Sequence, residues 1–204
     1  MNSDQKNKVF SILGILILLI SIIGISYALY RFNGQGNTQN YVTTGTVSMQ
    51  YTESDSNVIS IDGAMPMKDE VGKKQKDYFD FSLSSSIKGE ASITYEIRAK
   101  QLPASTKKEL SPKNVKVYLE KKEDGEYKEV LAPTSFSIND KSVIENDTLD
   151  KNTMLLYTGK FSNNRKLNNY SDDYRLRMWI SDDAIISDEK EGFKLRVDVY
   201  ASID

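Results

Sequence analysis

Few side chains in this sequence are able to do covalent chemistry. There is no cysteine and no histidine. That removes disulfides, thiolate nucleophiles, cysteine-ligated zinc, the usual general base near neutral pH and the commonest transition-metal ligand. A serine ahead of Met-x-Pro, working with a lysine, would be another route to hydrolysis. The nearest stretch, GAMPMK, has Ala64 where that serine must stand and its proline one position too early, and without the hydroxyl there is no nucleophile to activate. The acidic pairs Asp172-Asp173, Asp182-Asp183 and Asp188-Glu189, and the stretch ENDTLDKN at 145–152, offer oxygen ligands of the kind calcium takes. None has the alternating Asp or Asn with a distal Glu that such loops use, so they read as solvated charge. No catalysis, metal or cofactor is expected.

The remaining candidate is a binding surface. In SDDYRLRMWISDD (171–183) a strand would put Leu176, Met178 and Ile180 on one face and Arg175, Arg177 and Trp179 on the other. Arg and Trp are favoured at contact hot spots, so this row suits an anionic polymer, a sugar or another subunit. The alternative is a solvent face, or a second buried face covered by a loop. A formal net charge of −2 gives no electrostatic reason to expect nucleic acid.

The elements that must carry this row read as strands. Period-two alternation places Val47, Met49 and Tyr51 on one face, then Phe79, Phe81 and Leu83, then Ile93, Tyr95, Ile97 and Ala99, then Val115, Val117 and Leu119. LLYTGKF continues the series, and the last run carries Phe193, Leu195, Val197, Val199, Ala201 and Ile203. Asp124-Gly125 stands between two such runs and fits a tight hairpin. Only DDAIISDEKEG (182–192) has room for a short helix. These features predict an all-β chain, an antiparallel β-sandwich of jelly-roll or immunoglobulin-like type, over residues 41–204. The lysines of DEVGKKQKD (69–77) precede an aromatic strand, and such charges restrain edge-to-edge pairing.

Ahead of the sandwich, residues 9–30 contain 22 residues without a charge, fourteen of them Val, Ile, Leu or Phe. As a helix they would span about 33 Å, enough for a hydrocarbon layer of about 30 Å. Lys6 and Lys8 precede the run and place the N-terminus in the cytoplasm, so the remainder lies outside. Residues 1–30 are therefore read as a cytoplasmic stub and a transmembrane or signal helix, and the polar RFNGQGNTQN at 31–40 as a flexible tether. The run exceeds the 7 to 15 apolar residues of an ordinary signal peptide, which favours a permanent anchor, yet Ser26 and Ala28 have the small-residue spacing a signal peptidase accepts. Both readings stand at this point.

A hydrophobic leader ends in SYALYRF, a polar stretch runs into TTGTVSMQ, the aromatic strand DYFDFSLS is followed by GEASITYEI, and FKLRVDVYAS closes the chain's last run. In the order of these pieces the sequence resembles the TasA/camelysin family of exported bacterial matrix and fibre proteins. The likeness covers residues 20–100 and 193–202. The resemblance implies a jelly-roll-like domain, export through a dedicated signal peptidase, and assembly outside the cell. It further implies that a released N-terminal stretch, here Leu29 to Gln50, pairs with the next subunit. Some members are classed as metallopeptidases, and this sequence departs from them in having no His-Glu-x-x-His.

Overall fold

A computed structural model describes residues 31–35, 42–43, 47–53, 58–62, 64–88, 90–104, 106, 108–139, 141–144, 149–163, 168–185 and 191–203. Its strands are β1 (Arg31–Gln35), β2 (Val42–Thr43), β3 (Val47–Glu53), β4 (Val58–Asp62), β5 (Phe79–Ile87) and β6 (Ala91–Leu102). They continue with β7 (Lys108–Glu109), β8 (Val115–Glu123), β9 (Glu126–Ser135), β10 (Met154–Asn163), β11 (Asn168–Ile180) and β12 (Glu191–Ile203). A single helical turn, α1 (Asp69–Gly72), lies between β4 and β5. The predicted leader, with Ser26 and Ala28, lies outside the described residues.

Eight of these strands form a ribbon doubled back on itself. β8 pairs with β9, β6 with β10, β5 with β11 and β4 with β12, all antiparallel. The tip of the ribbon is Asp124-Gly125, where both residues take positive φ, 54° and 87°; Gly tolerates this freely and Asp better than most. Two further pairings, β12 with β6 and β11 with β8, roll the ribbon into two sheets, β4-β12-β6-β10 and β5-β11-β8-β9. That is jelly-roll connectivity, and it decides between the two sandwich types left open by periodicity. β2 and β3 extend the second sheet beyond β5, while β1 and β7 join β12 in the first.

The alternating residues do face one core. Leu83, Ile97, Ala99, Val115, Val117, Leu119, Leu176, Leu195, Val197 and Val199 are completely buried. Phe136 from one side meets Phe193 from the other with ring centroids 5.4 Å apart. Tyr95 and Tyr174 bridge the sheets through their hydroxyls, 2.6 Å apart. The Cα of Gly159 lies under the Tyr95 ring, and a Cβ there would stand 2.2 Å from it, so no larger residue fits.

Where a tether was expected, residues 31–35 form a strand, with Arg31 paired to Ser202 and Gln35 to Asp198, and 36–40 lie outside the described residues. Of the stretch with room for a short helix, residues 182–185 turn out of β11 and 186–190 lie outside the described residues.

The segment between β9 and β10 crosses the outer face of the first sheet and is pinned there by a buried ion pair. Arg98 and Glu96, neighbours on that face of β6, are both fully buried and 2.8 Å apart. Arg98 donates to the carbonyls of Asn139 and Lys141 and to the Thr153 hydroxyl. Glu96 accepts from the Ser142 hydroxyl and the Val143 N–H. Every charge is thus matched by several hydrogen bonds, the condition under which burial is tolerable. Removing one partner strands the other in a dry site. Arg98→Met is therefore expected to lower the unfolding free energy by about 3–5 kcal/mol, whereas Arg98→Met/Glu96→Leu loses less than the single change. Urea unfolding followed by the fluorescence of Trp179, the one tryptophan in the chain, measures both.

Candidate functional site

β11 lies between β5 and β8, and the predicted alternation holds: Leu176, Met178 and Ile180 enter the core while Arg175, Arg177 and Trp179 take the opposite face. That face is not open. The segment from Met67 to Tyr78 lies across it, so Trp179 is 1% exposed and Arg177 7%. Of the two alternatives, the buried face covered by a segment of chain is the one found for Arg177 and Trp179. Main-chain bonds hold one end of the strap, with the Met67 N–H on the Ile180 carbonyl, and Gln75 donates to the Met178 carbonyl at its middle. Arg177 donates to the Gln75 carbonyl and to Glu120, and the Trp179 indole N–H donates to Asp69 at 3.3 Å.

Glycine makes this closure possible. Gly72, in α1, rests on the Trp179 indole so closely that a Cβ would stand 2.3 Å from it. Lys73 follows at once, 2.6 Å from Glu129 of β9 and above the Tyr118 ring. Burial and the Glu120 carboxylate push the Tyr118 hydroxyl up to about 12. The lysines of this stretch therefore lie over a sheet face, and β5 is an interior strand; they do not guard an edge.

Arg175 is the member that stays accessible. Its guanidinium lies between the rings of Tyr78 and Tyr127, 4.0 and 3.8 Å from their centroids, and its Nε donates to Asp80 at 3.2 Å. Tyr78 is 41% exposed. The result is a stacked Tyr–Arg–Tyr cluster at the open margin of the strap.

Asp172, Asp173 and Asp150 are occupied as structural partners, whereas Asp182 and Asp183 stand exposed in the turn after β11. Asp172 accepts from the Tyr95 hydroxyl at 2.6 Å and pairs with Lys121 at 2.8 Å. Burial first, and the Asp172 carboxylate among the other causes, raise both tyrosine hydroxyls of this cluster, so they remain protonated donors. Asp173 accepts from Ser82, and Asp150 is held by Lys100 and by the Asn152 N–H. Asp188 and Glu189 lie outside the described residues. Among the described residues no three His, Cys, Asp or Glu side chains gather as a metal group.

A second site is a main-chain one. β12 has thirteen residues, and β6 pairs along one of its edges from Lys194 to Ile203. On the other edge β4 reaches only from Gly192 to Arg196, and β1 takes Asp198 to Ser202. Among the described strands, β1 pairs with β12 alone. Alternation could not reveal this, because a five-residue polar segment containing glycine shows no amphipathic pattern. Beside it Asp198 is fully buried on β12; burial raises its carboxyl while Arg196, 2.7 Å away, opposes the shift.

No protein-family model matches this chain, and no curated protein matches it. Among solved structures, the carbohydrate-binding module TmCBM61, in complex with beta-1,4-galactotriose, aligns over 76% of this chain and 88% of its own, at 11% identity and a TM-score of 0.25. A likeness at that level carries no ligand from one chain to the other.

Gly72→Val is expected to lift the strap, shifting Trp179 emission to longer wavelength and raising its quenching by iodide. Val71→Ala, at a 57% exposed neighbour, leaves both unchanged. An unshifted spectrum in Gly72→Val contradicts the close packing.

Proposed function

We propose that this chain is an exported cell-surface structural protein, a matrix or fibre subunit of the TasA/camelysin type. In this reading residues 9–30 lead the chain into the membrane with the N-terminus cytoplasmic. A signal peptidase that reads Ser26 and Ala28 cuts after Ala28, and the freed N-terminal strand pairs with the next copy outside the cell. The observation that carries it is the divided edge of β12: β4 stops at Arg196, and five residues beyond it are paired by the first described strand, which has no other partner among the described strands. Unpaired strand edges recruit other strands through main-chain hydrogen bonds. A strand held on one side, two residues beyond Leu29, is well placed to leave its own sheet for that of a neighbour.

A second reading is favoured by one observation, the Tyr78–Arg175–Tyr127 stack at the margin of the strap. In it the chain stays uncleaved as a single-pass anchored protein whose β-domain binds a ligand, a cell-wall polymer or a partner protein through that margin. Arg177 and Trp179 would join only if the strap moved.

The intact mass of the protein recovered from producing cells separates the two. The first reading predicts a species beginning near Leu29, in oligomers or filaments that are lost when residues 29–44 are deleted. Full-length chain confined to membranes contradicts it and supports the second.

A further inference from the structure

The proposed membrane segment and β1 are joined without a linker. The uncharged run ends at Tyr30, and Arg31 is already paired with Ser202. Paired Cα atoms in an antiparallel ladder lie about 4.5–5.5 Å apart, and consecutive Cα atoms about 3.8 Å. Ser202 therefore lies within about 10 Å of the end of the apolar run. That run is about 33 Å long as a helix against a hydrocarbon core of about 30 Å, so it has only about two residues of slack. The head-group layer beyond the core is about 5–7 Å thick.

From these lengths we infer that, while the leader is attached, the sandwich is seated end-on against the lipid head groups by the end that carries Ser202. The inference rests on the membrane-span reading of residues 9–30 and concerns the uncleaved chain, whichever of the two functional readings holds.

The register identifies what meets the membrane. Ile203 pairs with Ile93 at the start of β6, and Ala91 with Asn163 at the end of β10. The second sheet has the start of β11 at this end, because Tyr170 donates its hydroxyl to the Ser162 carbonyl and stacks on Phe161. The turn after β5 lies there too, since Ile87 pairs with Asn168. Lys88 and Glu90, both exposed and of opposite sign, flank that turn. Arg31 lies at this end as well, so the seating rests on tether length alone, and any attraction to anionic lipid is a separate contribution that vesicle composition tests.

β12 then rises from the membrane, and Gly192 stands about 33 Å higher at about 3.3 Å per residue. The opposite end includes Leu110, bonded to the Gly192 carbonyl, and Ser181, bonded to the Asn114 carbonyl. It also carries the root of the strap, where Met67 bridges to Ser181. The exposed Met65 and Ile185, 79% and 93% accessible, are therefore presented away from the cell.

Because the chain has no cysteine, single thiols report position without ambiguity. Full-length Ser202→Cys and Met65→Cys chains are labelled with an environment-sensitive fluorophore and reconstituted in phosphatidylcholine vesicles containing a head-group spin-labelled quencher. End-on seating predicts loss of most emission at position 202 and none at 65, unchanged when phosphatidylglycerol is added. Bright emission at 202 overturns it, as does quenching at both positions, which means a domain lying on its side. Quenching at 202 that appears only with phosphatidylglycerol overturns the tether-length argument. A chain that does not stay with the vesicles defeats the membrane-span reading itself, whereas a vesicle-bound chain with a bright label at 202 defeats the seating alone.

Discussion

The length mismatch between β4 and β12 is the constraint on which this account turns. A doubled ribbon closes into a jelly roll only if its first and last strands pair, and here the last has thirteen residues and the first has five. The main-chain groups of β12 beyond Arg196 must still find partners, since unpaired N–H and C=O groups at a sheet edge invite whatever strand is near. The chain supplies β1. A strand from another copy with the same sequence would meet the same main-chain groups.

Around this interval the fold is held firmly. Tyr95, Tyr174, Asp172 and Lys121 join the two sheets at one place. Arg98 and Glu96 pin the crossing segment over β6, and Gly72 seats the strap on Trp179. These interactions act between parts of the doubled ribbon and its covering segments, none through β1. Strand exchange between copies requires a body held together in this way.

Much of this was legible in the sequence. The core faces of β5, β6, β8, β11 and β12 followed from alternation, because an antiparallel strand with one buried face must alternate, and the tip of the ribbon from Asp124-Gly125. The strand order was not legible: the same alternation suits jelly-roll and immunoglobulin-like sheets alike, and pairing of β4 with β12 across the whole chain leaves no local mark. β1 was read as tether because its polar, glycine-containing residues satisfy their pairing through the main chain. Alternation gives the Arg175, Arg177 and Trp179 face and leaves a covering loop as one of two alternatives, but it does not show which segment covers it, since the strap binds through carbonyls, a glycine and one indole hydrogen bond. Arg98 and Glu96 were passed over for a similar reason, as charged residues on an outer face whose partners lie more than forty positions away.

In the proposed assembly the interval on β12 accepts the N-terminal strand of another copy. Arg31→Cys/Ser202→Cys places two thiols at a paired position, within the Cα spacing a disulfide needs. Oxidised assembled material recovered from the producing cells, run without reductant, should give a ladder of covalent multimers that collapses to one band on reduction. A single monomeric band with an internal disulfide would mean that each chain keeps its own β1, and would contradict exchange.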